Sequence, residues 1–152
     1  MHIKRCLACL VCFQLLTTAI YAESASKSDT SELIVIDAYM PEVPPVSRTA
    51  AVYLKLKNTS TSPFILIGAS TSIANHVMIH QTIETQDTVK MKHQSSVVIQ
   101  AGETLELEPG GTHIMLMGLQ KQAIPEKFEM NLMFENNATQ PIQVNVRSRV
   151  NN

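Results

Sequence analysis

Residues 103–119 read "ETLELEPGGTHIMLMGL", and this stretch decides the fold. Leu105 and Leu107 alternate approximately with acidic neighbours, then Pro109, Gly110 and Gly111 give a turn signal, and a second apolar run starts at once. Residues two apart on a strand share a face. His113, Met115 and Met117 therefore fall on one side of the second run, with Ile114, Leu116 and Leu119 mainly on the other. Either the His/Met side is packed or it holds a soft metal ion.

The same punctuated pattern fills the rest of the chain. "ELIVIDAYM", "TAAVYLKLKN", "PFILIGAS", "NHVMIHQTIE", "TVKMKH", "SSVVIQ", "KFEMNLMF" and "IQVNVRSRV" are short, rich in Val and Ile, and separated by Pro, Gly, Asn and Ser. No window carries a long apolar stripe of helical period. "YMPEVPPVSRT" (39–49), with three prolines, reads as a long surface loop, and "FENNATQPIQ" (134–143) as a hairpin loop around Asn136 and Asn137. Short strands at this spacing predict an all-β Greek-key sandwich.

With 152 residues, 45% of them hydrophobic, the chain has the size of one domain with an ordinary core. Residues 1–22 read as a secretory signal peptide. Lys4 and Arg5 lead an uncharged apolar run from Cys6 to about Ile20, which is too short for the bilayer core and is followed by no stop-transfer charge. Cleavage is expected after Ala22, with "ESASKSDTS" (23–31) a flexible leader and 32–150 a single domain. Cys6, Cys9 and Cys12 sit too early for lipid attachment and fall inside the removed segment, so the mature chain is expected to contain neither a disulfide nor a thiolate metal site. Without Lys4 and Arg5 the 12 basic side chains become 10 against 13 acidic ones, a formal −3 with no basic stripe. That argues against nucleic acid and anionic membrane surfaces as partners.

Between residues 76 and 115 lie four of the five histidines, His76, His80, His93 and His113, and three of the eight methionines, Met78, Met91 and Met115. His76, Met78 and His80 alternate and share a strand face. Thioethers are soft neutral ligands suited to Cu(I) and poor for Zn²⁺, Ca²⁺ or Mg²⁺, and imidazole suits copper in either oxidation state. With no carboxylate or thiolate interleaved, the set favours Cu(I) over zinc, calcium or an iron–sulfur cluster. Methionine is also a common core filler, so the residues alone leave packing and metal binding both open.

The spacing reads His80-x10-Met91-x21-His113-x-Met115. This resembles the signature of the PCuAC family, periplasmic copper(I) chaperones that help load the CuA centre of cytochrome c oxidase. "AAVYLKLKN" (50–58), "GASTSIANHVMIH" (68–80) and "IQAGETLELEPGGTHIMLMGL" (99–119) resemble further blocks of that family, and the likeness runs from about Leu33 to Val146. It implies a cupredoxin-like β-sandwich in which His80, Met91, His113 and Met115 bind one Cu(I). It further implies a periplasmic carrier, by default a monomer without a membrane span, that hands copper to a cuproprotein acceptor such as cytochrome c oxidase subunit II or a Sco-type protein. Gln81 stands where members usually have Glu or Met, and Asp87-Thr88 where an Asp-Gly turn is frequent. The sequence reads "VRSRVNN" where many members carry a His/Met-rich extension, a departure that leaves a second, Cu(II)-binding or copper-relaying site without support from the resemblance.

Met117 is expected to pack beneath the site, His76 and Met78 to form a half-exposed pair, His93 to cap the outer shell, and Met130 and Met133 to be core. Stepwise displacement of thioethers by an acceptor is expected, with the "QTIETQDT" (81–88) loop and the turn before His113 as docking rim. A blue-copper protein is rejected because its site needs a cysteine thiolate. A copper oxygenase is rejected because cleavage would expose Glu23 rather than a histidine, and no nucleophile–base or paired-carboxylate site is apparent. The alternative is a metal-free periplasmic β-sandwich that binds a protein partner.

Overall fold

The computed structural model describes residues 32–120 and 124–148; the expected signal peptide (1–22) and leader (23–31) lie outside the described residues. Ten strands follow one another: β1 (Leu33–Pro41), β2 (Thr49–Asn58), β3 (Phe64–Ser70), β4 (Ala74–Glu84), β5 (Val89–Gln94), β6 (Val97–Ile99), β7 (Thr104–Leu107), β8 (Thr112–Leu119), β9 (Lys127–Phe134) and β10 (Thr139–Arg147). They correspond run for run to the apolar stretches of the sequence, and the all-β, cupredoxin-like Greek-key sandwich is the observed architecture. Among the described residues no helix is long and apolar enough to cross a membrane.

Hydrogen bonding links the strands in the order β5-β4-β8-β2-β1-β10-β9-β3-β6, with β7 also on β2. Every pairing is antiparallel except β1 with β10. β2 joins the two layers, because Thr49–Val52 pair with β8 while Leu54–Lys57 pair with β7. Its period-two pattern is clean: Ala50, Val52, Leu54 and Leu56 are buried and Thr49, Ala51, Tyr53 and Lys55 alternate with them. β9 gives Phe128, Met130, Leu132 and Phe134 to the same core. Met130 is core as expected, but Met133 lies on the opposite face, where its methyl would meet a Cβ at Gly68 at 3.1 Å.

Two predicted loops are shorter than the sequence implied. β1 continues through Tyr39, Met40 and Pro41, paired with Asn145, Val146 and Arg147, so the proline-rich loop spans 42–48. The first half of the "QTIETQDT" segment is strand: β4 runs to Glu84, and only a tight turn separates it from β5. Threonines close that turn, with Thr85 N–H donating to Thr88 O at 2.9 Å and the two hydroxyls 2.8 Å apart, so no glycine is needed there. The hairpin at Asn136–Asn137 is as predicted, with Asn137 at φ 60° in the left-handed region that asparagine tolerates.

Asn58 ends β2 fully buried. Its Nδ2 donates to Ser62 O (2.9 Å), Ile99 O (3.0 Å) and Gln100 O (3.1 Å), and its Oδ1 accepts from Ser60 N–H (2.9 Å) and the Ser60 hydroxyl (2.8 Å). One side chain thus ties the 59–63 loop to β6. Asn58→Ala would strand these carbonyls, and buried unpaired groups cost about 1–3 kcal/mol each. Urea unfolding should give a loss of about 3 kcal/mol; a loss below about 1 kcal/mol would show that Asn58 is not a structural knot.

Candidate metal centre

Three strands carry the centre side by side. In the β4–β8 ladder His76 stands opposite Met117, Met78 opposite Met115, and His80 opposite His113; in the β4–β5 ladder His80 stands opposite His93 and Thr82 opposite Met91. Side chains of directly opposite residues lie on one face at Cβ separations of about 4.5–5.5 Å. The other face of β8 carries Ile114 and Leu116, both fully buried, and Ile79 of β4 joins them. The His/Met face is therefore the outer face of this layer.

Gly118 marks where the alternation of β8 changes phase. Its φ of +67° suits glycine, and a Cβ there would meet Asn75 at 3.0 Å. Leu119, which strict alternation would put beside Met117, is instead buried. Met117 stays on the outer face, half-buried and opposite His76 and Thr49, so it lies alongside the site and not beneath it. His76 and Met78 are exposed, Met78 to 39%.

His113 is only 3% exposed although it faces away from the core. The rings of His80 and Tyr53 flank it at centroid distances of 6.2 and 6.4 Å. Its Nδ1 lies 3.2 Å from Gly111 O. A carbonyl can only accept, so Nδ1 carries the hydrogen and the Nε2 lone pair is left free. That Nε2 is buried with no hydrogen-bond partner, and so is Nδ1 of His80. Leaving such groups unpaired costs free energy, and two orphaned imidazole nitrogens on neighbouring strands are what a metal ion bound between them would satisfy. Burial, then the neighbouring His113 and His93, push the His80 pKa below its ordinary 6.5, which keeps its ring neutral and able to donate.

Met91, His113 and Met115 line one outward-opening pocket of about 290 Å³, together with Tyr53 and Thr82. Pro41 and Val43 form its far wall. His80 is not part of that lining and stands beside His113, so three of the four predicted ligands share the pocket and the fourth adjoins it. Met91, 57% exposed, is the outermost. The donors present, neutral imidazoles and thioethers, fit a soft monovalent ion; among the described residues no group of three or more His, Cys, Asp and Glu gathers as a site for a harder one. A larger pocket of about 540 Å³ beside the 42–48 loop is lined by Met40 but by no histidine and none of the predicted ligands.

Gln81 points to the opposite face from His80 and accepts a hydrogen bond from Gln94 Nε2 at 2.9 Å, so the departure at that position leaves the donor set untouched. Reading the sequence missed Tyr53, the Gly111 carbonyl and the Pro41–Val43 wall. Tyr53 could have been found from the alternation of β2; a carbonyl that orients a ring leaves no mark in side-chain pattern.

The family model described as "Putative lipoprotein LpqE-like" matches residues 33–146. A putative lipoprotein of Leifsonia xyli subsp. xyli is 36% identical over 103 residues, covering 66% of this chain and 62% of that protein. An uncharacterized protein of Rickettsia prowazekii is 28% identical over 99 residues, covering 64% and 55%. The chain thus spans less than two thirds of the length of either relative. Among solved structures, Cu(I)-bound DR1885 from Deinococcus radiodurans superposes with a TM-score of 0.62 at 31% identity, over 83% of this chain and 87% of that one. The copper-bound PCuAC domain from PmoF2 superposes at 0.65 with 18% identity, over 77% and 93%, a likeness of fold. The chain belongs to the LpqE-like family, of the PCuAC type that its His/Met spacing resembles.

Proposed function

We propose that this protein is a periplasmic copper carrier that holds one Cu(I) through His80, Met91, His113 and Met115 and hands it to a cuproprotein acceptor. The observation that carries the reading is the pair of buried, unpartnered nitrogens, His80 Nδ1 and His113 Nε2, on the face that also bears the thioethers. The copper named in two structural relatives supports it. Residues 1–22 serve as export signal, 23–31 as leader and 32–150 as the single copper-binding domain; the lipoprotein name of a relative supports a location outside the cytoplasm.

The donor chemistry suits a carrier better than an enzyme. Two imidazoles and two thioethers are neutral, so they leave the ion's single charge in place and form bonds that exchange readily. The site is graded from outside inward: Met91 is 57% exposed on the edge strand and His113 only 3%. An acceptor can displace the Met91 thioether first and reach the imidazoles afterwards. The CuA site of cytochrome c oxidase subunit II or a Sco-type protein are acceptors of suitable chemistry, and a monomer leaves the pocket open to them.

In an anaerobic titration against a chromogenic chelator the protein should bind one equivalent of Cu(I), and His113→Ala, Met91→Ala and Met115→Ala should each weaken binding by about tenfold or more. Met91→Ala and Met115→Ala both binding as tightly as wild type would refute the ligand assignment. A second test uses pH. Copper competes with protons for His80, and because burial holds its pKa below the ordinary 6.5, His80→Ala should leave the pH dependence of affinity unchanged above about pH 6.5 and make it shallower on further acidification. A pH profile that His80→Ala leaves the same at every pH would contradict the placement of His80 at the metal.

A further inference from the structure

His80 has an imidazole neighbour on each side. His113 on β8 lies at 6.2 Å between ring centroids, with planes at 85°, and His93 on β5 lies at 6.0 Å, also at 85°. The two neighbours differ in access: His113 is buried, whereas His93 is exposed on β5, which pairs with β4 alone and forms the edge of the sheet. A metal sits about 2.0 Å from a ring nitrogen and the nitrogen about 1.1 Å from the ring centre, so two imidazoles on one ion have centroids at most about 6.3 Å apart. Both pairs are close to that limit. All three rings cannot share an ion as placed, because β5 and β8 are separated by two strand spacings, about 9.6 Å.

We propose that His93 forms an outer copper station, so that the ion passes from the inner His80–His113 side across His80 to His80–His93 at the sheet edge before leaving. This rests on reading His80 and His113 as copper ligands. One bond to copper forms from His93 as the bond from His113 breaks; the ion stays Cu(I), and no electron moves. Met91 serves both stations, since it lines the inner pocket and lies two residues from His93 on the same face of β5. Each step keeps at least one imidazole and one thioether on the ion, so neither step strips it bare.

A relay residue lowers the barrier in both directions and leaves the end state alone, so its loss slows uptake and release equally. The test is stopped-flow transfer of Cu(I) from the loaded protein to bathocuproine disulfonate, and of Cu(I) from a weak donor complex to the apo protein, with equilibrium affinity measured alongside. In His93→Ala both rates should fall about fivefold while affinity stays within about twofold of wild type. His93→Met, which offers a thioether at the same place, should recover most of the rate, and Lys92→Ala, on the opposite face of β5, should leave it unchanged. Wild-type rates in His93→Ala at wild-type affinity would overturn the relay alone. Faster release with matching loss of affinity would overturn it too, by making His93 an ordinary ligand. A wild type that holds no Cu(I) would overturn the copper reading itself.

Discussion

His80 meets His113 because β4 and β8 pair in one antiparallel register, and every other feature of the centre depends on that pairing. A slip of either strand by one residue would turn its side chains to the other face. Slipping β8 would take Ile114 and Leu116 out of the core, where burying each contributes about 1.5–3 kcal/mol, and put His113 into it unpaired; slipping β4 would do the same to Ile79 and His80. The apolar face of the ladder thus fixes the register, and the metal-binding face inherits it. The energetic cost of two orphaned nitrogens is carried by residues that never touch them.

β2 extends this logic to the pocket wall. Its inward Ala50, Val52, Leu54 and Leu56 seat it in the core, and its outward Tyr53 is thereby set against His113. Tyr53 leans on Tyr39 at 5.3 Å, and the Arg147 guanidinium lies 4.4 Å over the Tyr39 ring while pairing with Asp37. That ion pair is half exposed and adds little stability. It does hold a row of rings in place from the copper side to the β1–β10 pair. Asn58 secures the far end of the same strand.

Much of this was legible beforehand because the strands are half-buried and alternate. β2, β8 and β9 each advertise one apolar face, and the mixed His/Met composition of the other face of β8 stood out against it. The run "NHVMIHQTIE" marks β4 to its end at Glu84, whereas the "QTIETQDT" loop reads as longer than it is because Gln81, Thr82 and Glu84 look like loop residues; they lie in a hairpin whose outer part is largely exposed, where polar side chains are tolerated on both faces. Met117 was misplaced for a related reason, since composition does not say which face of a strand a methionine packs on. His93 was legible only as an outer residue. That it stands directly opposite His80 follows from the register of the turn at Thr85–Thr88, which threonine hydroxyls set in place of the more readable Asp-Gly.

The central claim is that two imidazoles and two thioethers converge on one ion, and X-ray absorption at the copper edge tests it most directly. The protein loaded with one equivalent of Cu(I) should give a spectrum fitted by two nitrogen scatterers with the outer-shell pattern of imidazole rings and two sulfur scatterers. One sulfur should be lost in Met115→Ala and one imidazole in His113→Ala. A spectrum containing no sulfur, or one unchanged by both substitutions, would contradict the account.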